Sequence, residues 1–117
     1  MNTNIFIKAI HIISKDNRIH PSHISLYFTL LSLWHENKLQ NPINISRKEI
    51  LANSKIKSNA TYHKCIKELN DFGYIKYDPS YNPFNGSLIT ILKFNEIQEE
   101  NNTITKKEIL IRISIEV

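Results

Sequence analysis

The stretch Ser58–Tyr77, SNATYHKCIKELNDFGYIKY, decides the fold, because it joins a helical pattern to the start of a strand. Its apolar residues recur at the spacing of one helix face: Tyr62, Cys65, Ile66, Leu69 and Phe72. The Ser58 hydroxyl suits an N-cap, and Gly73 suits the left-handed position that ends a helix. The stretch therefore predicts a helix from about Ser58 to Phe72 whose apolar stripe faces a core.

The opposite face of this helix is polar and basic. Its hydrogen-bonding side chains, with those just before the first turn, are Lys57, Ser58, Asn59, Thr61, His63, Lys64 and Lys67. Between Ser46 and Lys67 there are six Lys or Arg and one acid, whereas the whole chain has a net charge of only +4. Such a face suits base edges and phosphates. An ordinary amphipathic helix with a solvated side has the same pattern, so the neighbouring elements must decide.

Upstream of this helix, hydrophobic spacing predicts two more helices. Asn4–Ser14 has helical spacing, although it also alternates almost as a strand would, and Ser22–Asn37 is apolar on more than one face. The second of these helices is therefore predicted to be the central buried one. Ile43–Ile45 alternates and is predicted to be a very short strand.

A short helix is predicted to begin after that strand. Ser46 and Glu49 have the spacing of a capping box, in which each side chain accepts an amide of the first turn. Asn53–Lys55 is a turn signal, so the helix is short and the next one starts at Ser58 or Asn59. The pattern is a helix, a tight turn and a second helix.

After Gly73 the hydrophobic period changes to that of strands. Tyr74–Tyr77 and Ser87–Phe94 are predicted strands, and Asp78–Gly86 between them has the Pro, Gly and Asn content of a loop. A hairpin in this place is a wing. The sequence therefore predicts an α+β fold of the winged helix-turn-helix type, a helical core with a small antiparallel hairpin, over residues 1–94.

The remainder of the chain is predicted to be a linker, residues 95–105, and a C-terminal amphipathic strand, residues 106–117. The strand alternates one apolar face with polar or mixed residues, and the apolar positions are Ile109, Ile111, Ile113, Ile115 and Val117. A single strand of this kind must add to a sheet, in its own chain or in a second copy. This tail and the first helix are the surfaces best able to form a symmetric homodimer.

In a winged helix-turn-helix protein, the N-terminal residues of the last helix meet base edges in the major groove of double-stranded DNA. Candidates for base contacts are Lys57, Ser58, Asn59, Thr61 and either Tyr62 or His63. Asn59 is suited to adenine and Lys57 to guanine. Candidates for phosphate contacts are Arg47, Lys48, Lys55, Lys64 and Lys67. In the wing, Tyr81, Asn82 and Asn85 suit the minor groove, while Phe84 suits either the sugar edge or the sheet.

Other classes of function find little support in the sequence. The five His residues lack the Cys or carboxylate neighbours of a metal site and are predicted to lie on the surface. There is no glycine-rich phosphate loop and no nucleophile in a catalytic context, so an enzyme, a cofactor and a metal are not expected. Cys65 is predicted to be a small core residue. With no apolar run of membrane-spanning length and no secretory signal, a cytoplasmic protein is expected.

Three runs carry a resemblance to a known family: HPSHISLYFTLLSLWHENKLQNPINISRKEI, KSNATYHKCIKELNDFGYIKY and DPSYNPFNGS. Over about Ile5–Phe94 the chain resembles the small winged-helix transcriptional regulators carried on mobile elements of Bacteroidetes. The resemblance implies sequence-specific DNA binding in gene control or element maintenance. Winged helices also serve as protein-docking modules, and a protein partner for the basic face is the alternative.

Overall fold

The computed structural model describes residues 3–80 and 86–92, with side chains from residue 6 onward. The described elements are α1 Thr3–Ser14, α2 Pro21–Glu36, β1 Ile43–Ile45, α3 Arg47–Ser54, α4 Asn59–Asp71, β2 Ile75–Asp78 and β3 Ser87–Ile91. This part of the chain is a compact α+β domain with four helices and a three-stranded antiparallel sheet. The predicted helices, short strand and hairpin are confirmed, and most of their boundaries lie within one residue of the prediction.

Both ends of α4 form as its local sequence predicts. The Ser58 side chain accepts a hydrogen bond from the Thr61 amide at 3.2 Å. At the other end, Gly73 has a φ of 85° and its amide donates to the Asn70 carbonyl at 3.1 Å. The Tyr74 amide donates to the Leu69 carbonyl at 3.0 Å. This pair of bonds is the Schellman arrangement, which satisfies the last carbonyls of the helix.

The start and end of α3 differ from the prediction. Ser46 is the N-cap residue, but its side chain makes no capping hydrogen bond, so the predicted capping box is wrong. The backbone alone begins the helix, with the Ile50 amide donating to the Ser46 carbonyl at 3.0 Å. Asn53 and Ser54 are still helical, and the chain turns at Lys55, whose φ is 64°. The tight turn is therefore shorter than predicted.

The sheet has the strand order β1-β3-β2, so the short strand β1 pairs with the second strand of the hairpin. Ile43 is opposite Ile89, and Ile75 is opposite Ile91. Asn41 extends this pairing with its side chain, since its Oδ1 accepts the Ile91 amide at 3.0 Å and its Nδ2 donates to the Ile91 carbonyl at 3.1 Å. The sequence predicted the three strands but not that β1 joins them in one sheet.

Helix α2 is at the centre of the core, as predicted. Leu26 and Leu30 are fully buried, and the ring of Tyr27 meets that of Tyr74 edge to face, with 5.5 Å between centroids. Cys65 is also buried, which confirms the prediction of a core thiol. Burial is the main cause that raises the pKa of this thiol. No described helix is both long and apolar enough to cross a membrane.

Asp16, in the turn between α1 and α2, holds this turn against Tyr74, the residue before β2. Its carboxylate accepts hydrogen bonds from Arg18 Nε at 2.9 Å, from Arg18 Nη2 at 2.7 Å and from the Tyr74 hydroxyl at 2.8 Å. The hydrogen bond from the Arg18 side chain is the largest cause that holds the pKa of Asp16 well below its usual 3.8. The Arg18 guanidinium in turn lies 4.2 Å from the centroid of the Phe72 ring.

Removing the hydroxyl of Tyr74 tests how much its hydrogen bond to Asp16 stabilises the fold. We expect Tyr74→Phe to lower the free energy of unfolding by about 1 to 2 kcal/mol at neutral pH, because a buried charge-assisted hydrogen bond is lost. The folded-state pKa of Asp16 is depressed, so its contribution is fully present above the unfolded value of 3.8 and is lost as the pH falls from there through the much lower folded-state value. Urea titrations should therefore show the full difference between Tyr74→Phe and the parent at pH 7, and a smaller difference only as the pH approaches the folded-state pKa of Asp16, well below 3.8. Tyr77 has no such carboxylate partner among the described residues. The stability difference between the control Tyr77→Phe and the parent should therefore not depend on pH in this way.

Several predictions concern residues outside the described ranges. These are the wing residues Tyr81, Asn82, Phe84 and Asn85, the linker 95–105 and the C-terminal strand 106–117.

Candidate nucleic-acid interface

The outward face of α4 is polar and cationic. Asn59, His63 and Lys67 are exposed and four residues apart, so they form one row along the helix. Lys64 is exposed beside that row. The apolar stripe of α4, which includes Cys65, Ile66 and Leu69, is buried in the core. The structure thus brings four of the predicted contact residues onto one accessible surface.

Tyr62 is a correction to the predicted site. Its side chain is only 2% exposed and packs in the core, so it cannot reach a base edge. Burial raises the pKa of Tyr62 to about 12, and the nearby Arg47 partly opposes this rise. The rings of Tyr62 and His63 meet edge to face, with 5.1 Å between their centroids, so the buried Tyr62 ring packs against the exposed His63 ring. Of the two alternatives, His63 is the one that faces outward.

A groove of about 960 Å³ runs between the N-terminal turns of α3 and α4 and the adjoining end of the sheet. Five predicted contact residues line it: Arg47, Lys48, Asn59, Tyr62 and His63. It is also lined by the acid Glu49 and by polar residues that were not predicted: Asn44, Ser46, Ser80 and Ser87. Of these residues, only Asn44 could have been expected on an outward surface from the sequence, because it alternates with two apolar residues of its strand. The others depend on how the strands and helices meet.

A second hollow, of about 480 Å³, lies on the other side of the start of α4. The predicted contact residues Lys55, Lys57, Ser58 and Thr61 line it. It is closed by the first turn of α2, which adds two hydroxyl groups, those of Ser22 and Ser25. The Ser25 hydroxyl donates a hydrogen bond to the Ser54 carbonyl, which fixes the turn between α3 and α4 against α2.

All six cations of the predicted site are exposed: Arg47, Lys48, Lys55, Lys57, Lys64 and Lys67. Within residues 3–80 and 86–92, none of them forms an ion pair with a carboxylate, since the ion pairs found there are Arg18–Asp16 and His23–Glu68. Unpaired surface cations keep their full attraction for an anionic partner and release its counterions on binding. The arrangement can therefore bind a chain of phosphates on both sides of the start of α4.

The histidines divide into four exposed residues and one buried residue. His11, His20, His35 and His63 are exposed as predicted, but the surface prediction is wrong for His23, which is 1% exposed. His23 Nδ1 accepts the His20 amide at 2.9 Å, and its Nε2 lies 3.3 Å from Glu68 Oε1. These contacts make it a structural link between α2 and α4. Among the described residues, no three His, Cys, Asp or Glu side chains group as a metal site would require.

No family model, curated protein or solved structure matches the chain.

Proposed function

We propose that this protein binds double-stranded DNA in a sequence-dependent manner, as a transcriptional regulator or an accessory factor of a mobile element in the cytoplasm. Helix α4 would lie in the major groove, with Asn59 and His63 at base edges. The cations of α3 and of the turn before α4 would contact phosphates on either side. The wing, from Asp78 to Gly86, would lie over the neighbouring minor groove.

The order of elements supports this proposal at the level of the fold. Helix α2, strand β1, helices α3 and α4, and the hairpin β2–β3 follow one another as in a winged helix-turn-helix domain. The sheet order β1-β3-β2 fits the same arrangement, in which the hairpin extends beside the last helix. Since a fold can host many functions, the surface must carry the rest of the argument.

The observation that carries the proposal is the exposed surface around the start of α4, where six cations outnumber the single acid Glu49 and, among the described residues, none of the six forms an ion pair. The row Asn59–His63–Lys67 offers an amide that can pair bidentately with adenine, and two further groups that can reach bases or phosphates. Cations line the groove and the hollow on either side of the start of α4, and with α4 in a major groove they would lie near the phosphates of its two walls. An acidic protein surface could bind the cations, but it would not need the hydrogen-bonding groups of Asn59 and His63 that suit base edges.

Selection of bound sequences from a random duplex pool tests the proposal directly. We expect enrichment of a defined motif, and we expect affinity to fall linearly with salt concentration on logarithmic axes. No binding to any duplex at low salt would contradict the proposal and would favour a protein-docking module instead.

Lys64 is expected to contact phosphate rather than bases, because it lies one turn beyond Asn59 and beside the row. We expect Lys64→Ala to weaken binding on all sequences alike and to reduce the salt slope by about one. Titrations at several salt concentrations, on a selected site and on an unrelated duplex, measure both effects. The matched control is Lys38→Ala, an exposed lysine after α2 and away from α4, which should change neither quantity. A loss confined to the selected site would contradict the assigned role.

We also propose a homodimer that uses α1, because Ile7 on this helix is 61% exposed. A two-fold dimer would read paired half-sites about one helical turn apart. Light scattering should show a mass that rises with concentration toward twice that of the monomer, and Ile7→Ser should shift the equilibrium toward the monomer. A mass that stays monomeric at all concentrations would reject this assembly.

A further inference from the structure

The sheet has one covered face and one open face. Residues that point toward the helices are buried, including Ile43, Ile75, Ile89 and Ile91. The alternate positions on the outer strands are polar and exposed, as Asn44, Lys76 and Asp78 show. Along the central strand β3, however, the open face consists of Leu88 and Thr90, and Leu92 continues it directly after the strand.

Leu88 and Leu92 are unusual for an exposed sheet face. They are 40% and 39% exposed and four residues apart. Leu92 directly follows β3, and its amide donates to the Tyr74 carbonyl at 3.1 Å, so the alternation of the strand continues and both side chains are on one side of the sheet. Thr90, half-buried between them, completes a continuous stripe along the middle of the face. Antiparallel sheets with one solvated face normally place polar residues there. The stripe indicates a surface that another segment covers.

The chain itself provides a segment of the right chemistry. Beyond Leu92 it continues for 25 residues to Val117, and residues 109–117 alternate isoleucine or valine with other residues. Such a segment has one apolar face that needs an apolar partner surface. The 16 residues from 93 to 108 can span up to about 55 Å when extended, so residues 109–117 can return to the stripe from which the chain departs.

We propose that the isoleucine face of residues 109–117 docks on the open face of the sheet in its own chain, over Leu88 and Leu92. The tether favours the same chain over a second copy, because a connection of only 16 residues keeps the segment near the stripe at a high effective concentration. The open face is opposite to the face that contacts the helices, so this docking leaves the outward row of α4 accessible. The inference does not depend on DNA binding.

Disulfide trapping in the full-length chain tests the contact. Leu88→Cys is combined in turn with Ile111→Cys, Ile113→Cys or Ile115→Cys, and with Arg112→Cys or Ser114→Cys as matched controls from the other face of the tail. Cys65 stays in place because it is buried. We expect an intrachain disulfide, seen as a monomer on a non-reducing gel, to form at least about tenfold faster at one of the isoleucine positions than at the controls. Equal rates on both tail faces, or disulfides only between chains, would overturn the proposal.

Limited proteolysis provides a second measurement that needs no cysteine in the tail. Trypsin can cut after Lys106, Lys107 and Arg112, and docking would protect the bond after Arg112 more than the two bonds that precede residues 109–117. We expect the double variant Leu88→Ser/Leu92→Ser to speed cleavage after Arg112 by about tenfold relative to cleavage after Lys106 and Lys107, since cleavage follows the population of the open form. The control Lys76→Ser, on the same face but polar in the parent, should leave the ratio unchanged. Equally fast cleavage at all three bonds in the parent protein would show that the tail is not docked.

Discussion

Asn59→Ala is expected to abolish much of the discrimination between a selected DNA site and an unrelated duplex, by about 1 to 3 kcal/mol or roughly 5- to 150-fold. Asn59 is the first residue of α4, is exposed and lines the groove beside the sheet. Its carboxamide can donate to and accept from one adenine edge, and alanine leaves that edge unpaired. Affinity for the unrelated duplex should change little, because the cations remain.

Competition titrations on both duplexes measure this loss of discrimination. The matched control is Asn53→Ala, since Asn53 is also an exposed asparagine but lies near the end of α3, beside Phe28 and away from the groove. Asn53→Ala should discriminate as the parent does. Urea titrations of both variants separate a lost contact from lost stability. An Asn59→Ala protein that keeps the parent's preference would remove Asn59 from base recognition, while duplex binding as such would still stand on the cations.

The features that the sequence predicted well depend on local chemistry. The hydroxyl of Ser58 and the glycine at Gly73 decide where α4 begins and ends, and both act within a few residues of themselves. The hairpin follows from alternation on either side of a loop rich in turn residues. The exposed row of α4 follows from helical spacing alone, because the positions left by the apolar stripe must face away from the core.

The features that the sequence did not predict depend on contacts between distant segments. Spacing predicts Tyr62 on the apolar stripe of α4, while its place in the first turns of the helix also made it an alternative to His63 for a base contact, and only the packed core excludes that second role. His23 is polar by type but is buried by its contacts with His20 and Glu68, the latter 45 residues away. The capping box at Ser46 had the right spacing, yet the backbone alone supplies the first bond of α3. The groove arises only where α3, α4 and the sheet converge.

Gly86 is the position where a single added methyl group should harm the fold most. It has a φ of 66°, a left-handed conformation that L-residues adopt at a cost of about 1 to 2 kcal/mol. A Cβ there would also lie 2.6 Å from Asn44 Oδ1 and 2.6 Å from the Ile45 carbonyl oxygen. The side chain of Asn44 can move, but the backbone of β1 cannot do so without disturbing its pairing with β3.

We therefore expect Gly86→Ala to lower the free energy of unfolding by about 2 to 4 kcal/mol, as the sum of backbone strain and an overpacked contact. Urea titration followed by circular dichroism measures this loss. The control Ser87→Ala changes the next residue, where the backbone is already extended in β3. It removes only an exposed acceptor 3.5 Å from the Ser80 amide, so its stability should stay within about 0.5 kcal/mol of the parent. Gly86 also lines the groove between α3, α4 and the sheet. Under the proposed function, its substitution should therefore weaken DNA binding even under conditions where the protein remains folded. Equal stability of Gly86→Ala and Ser87→Ala would mean that β1 does not hold the start of β3 as closely as these distances indicate.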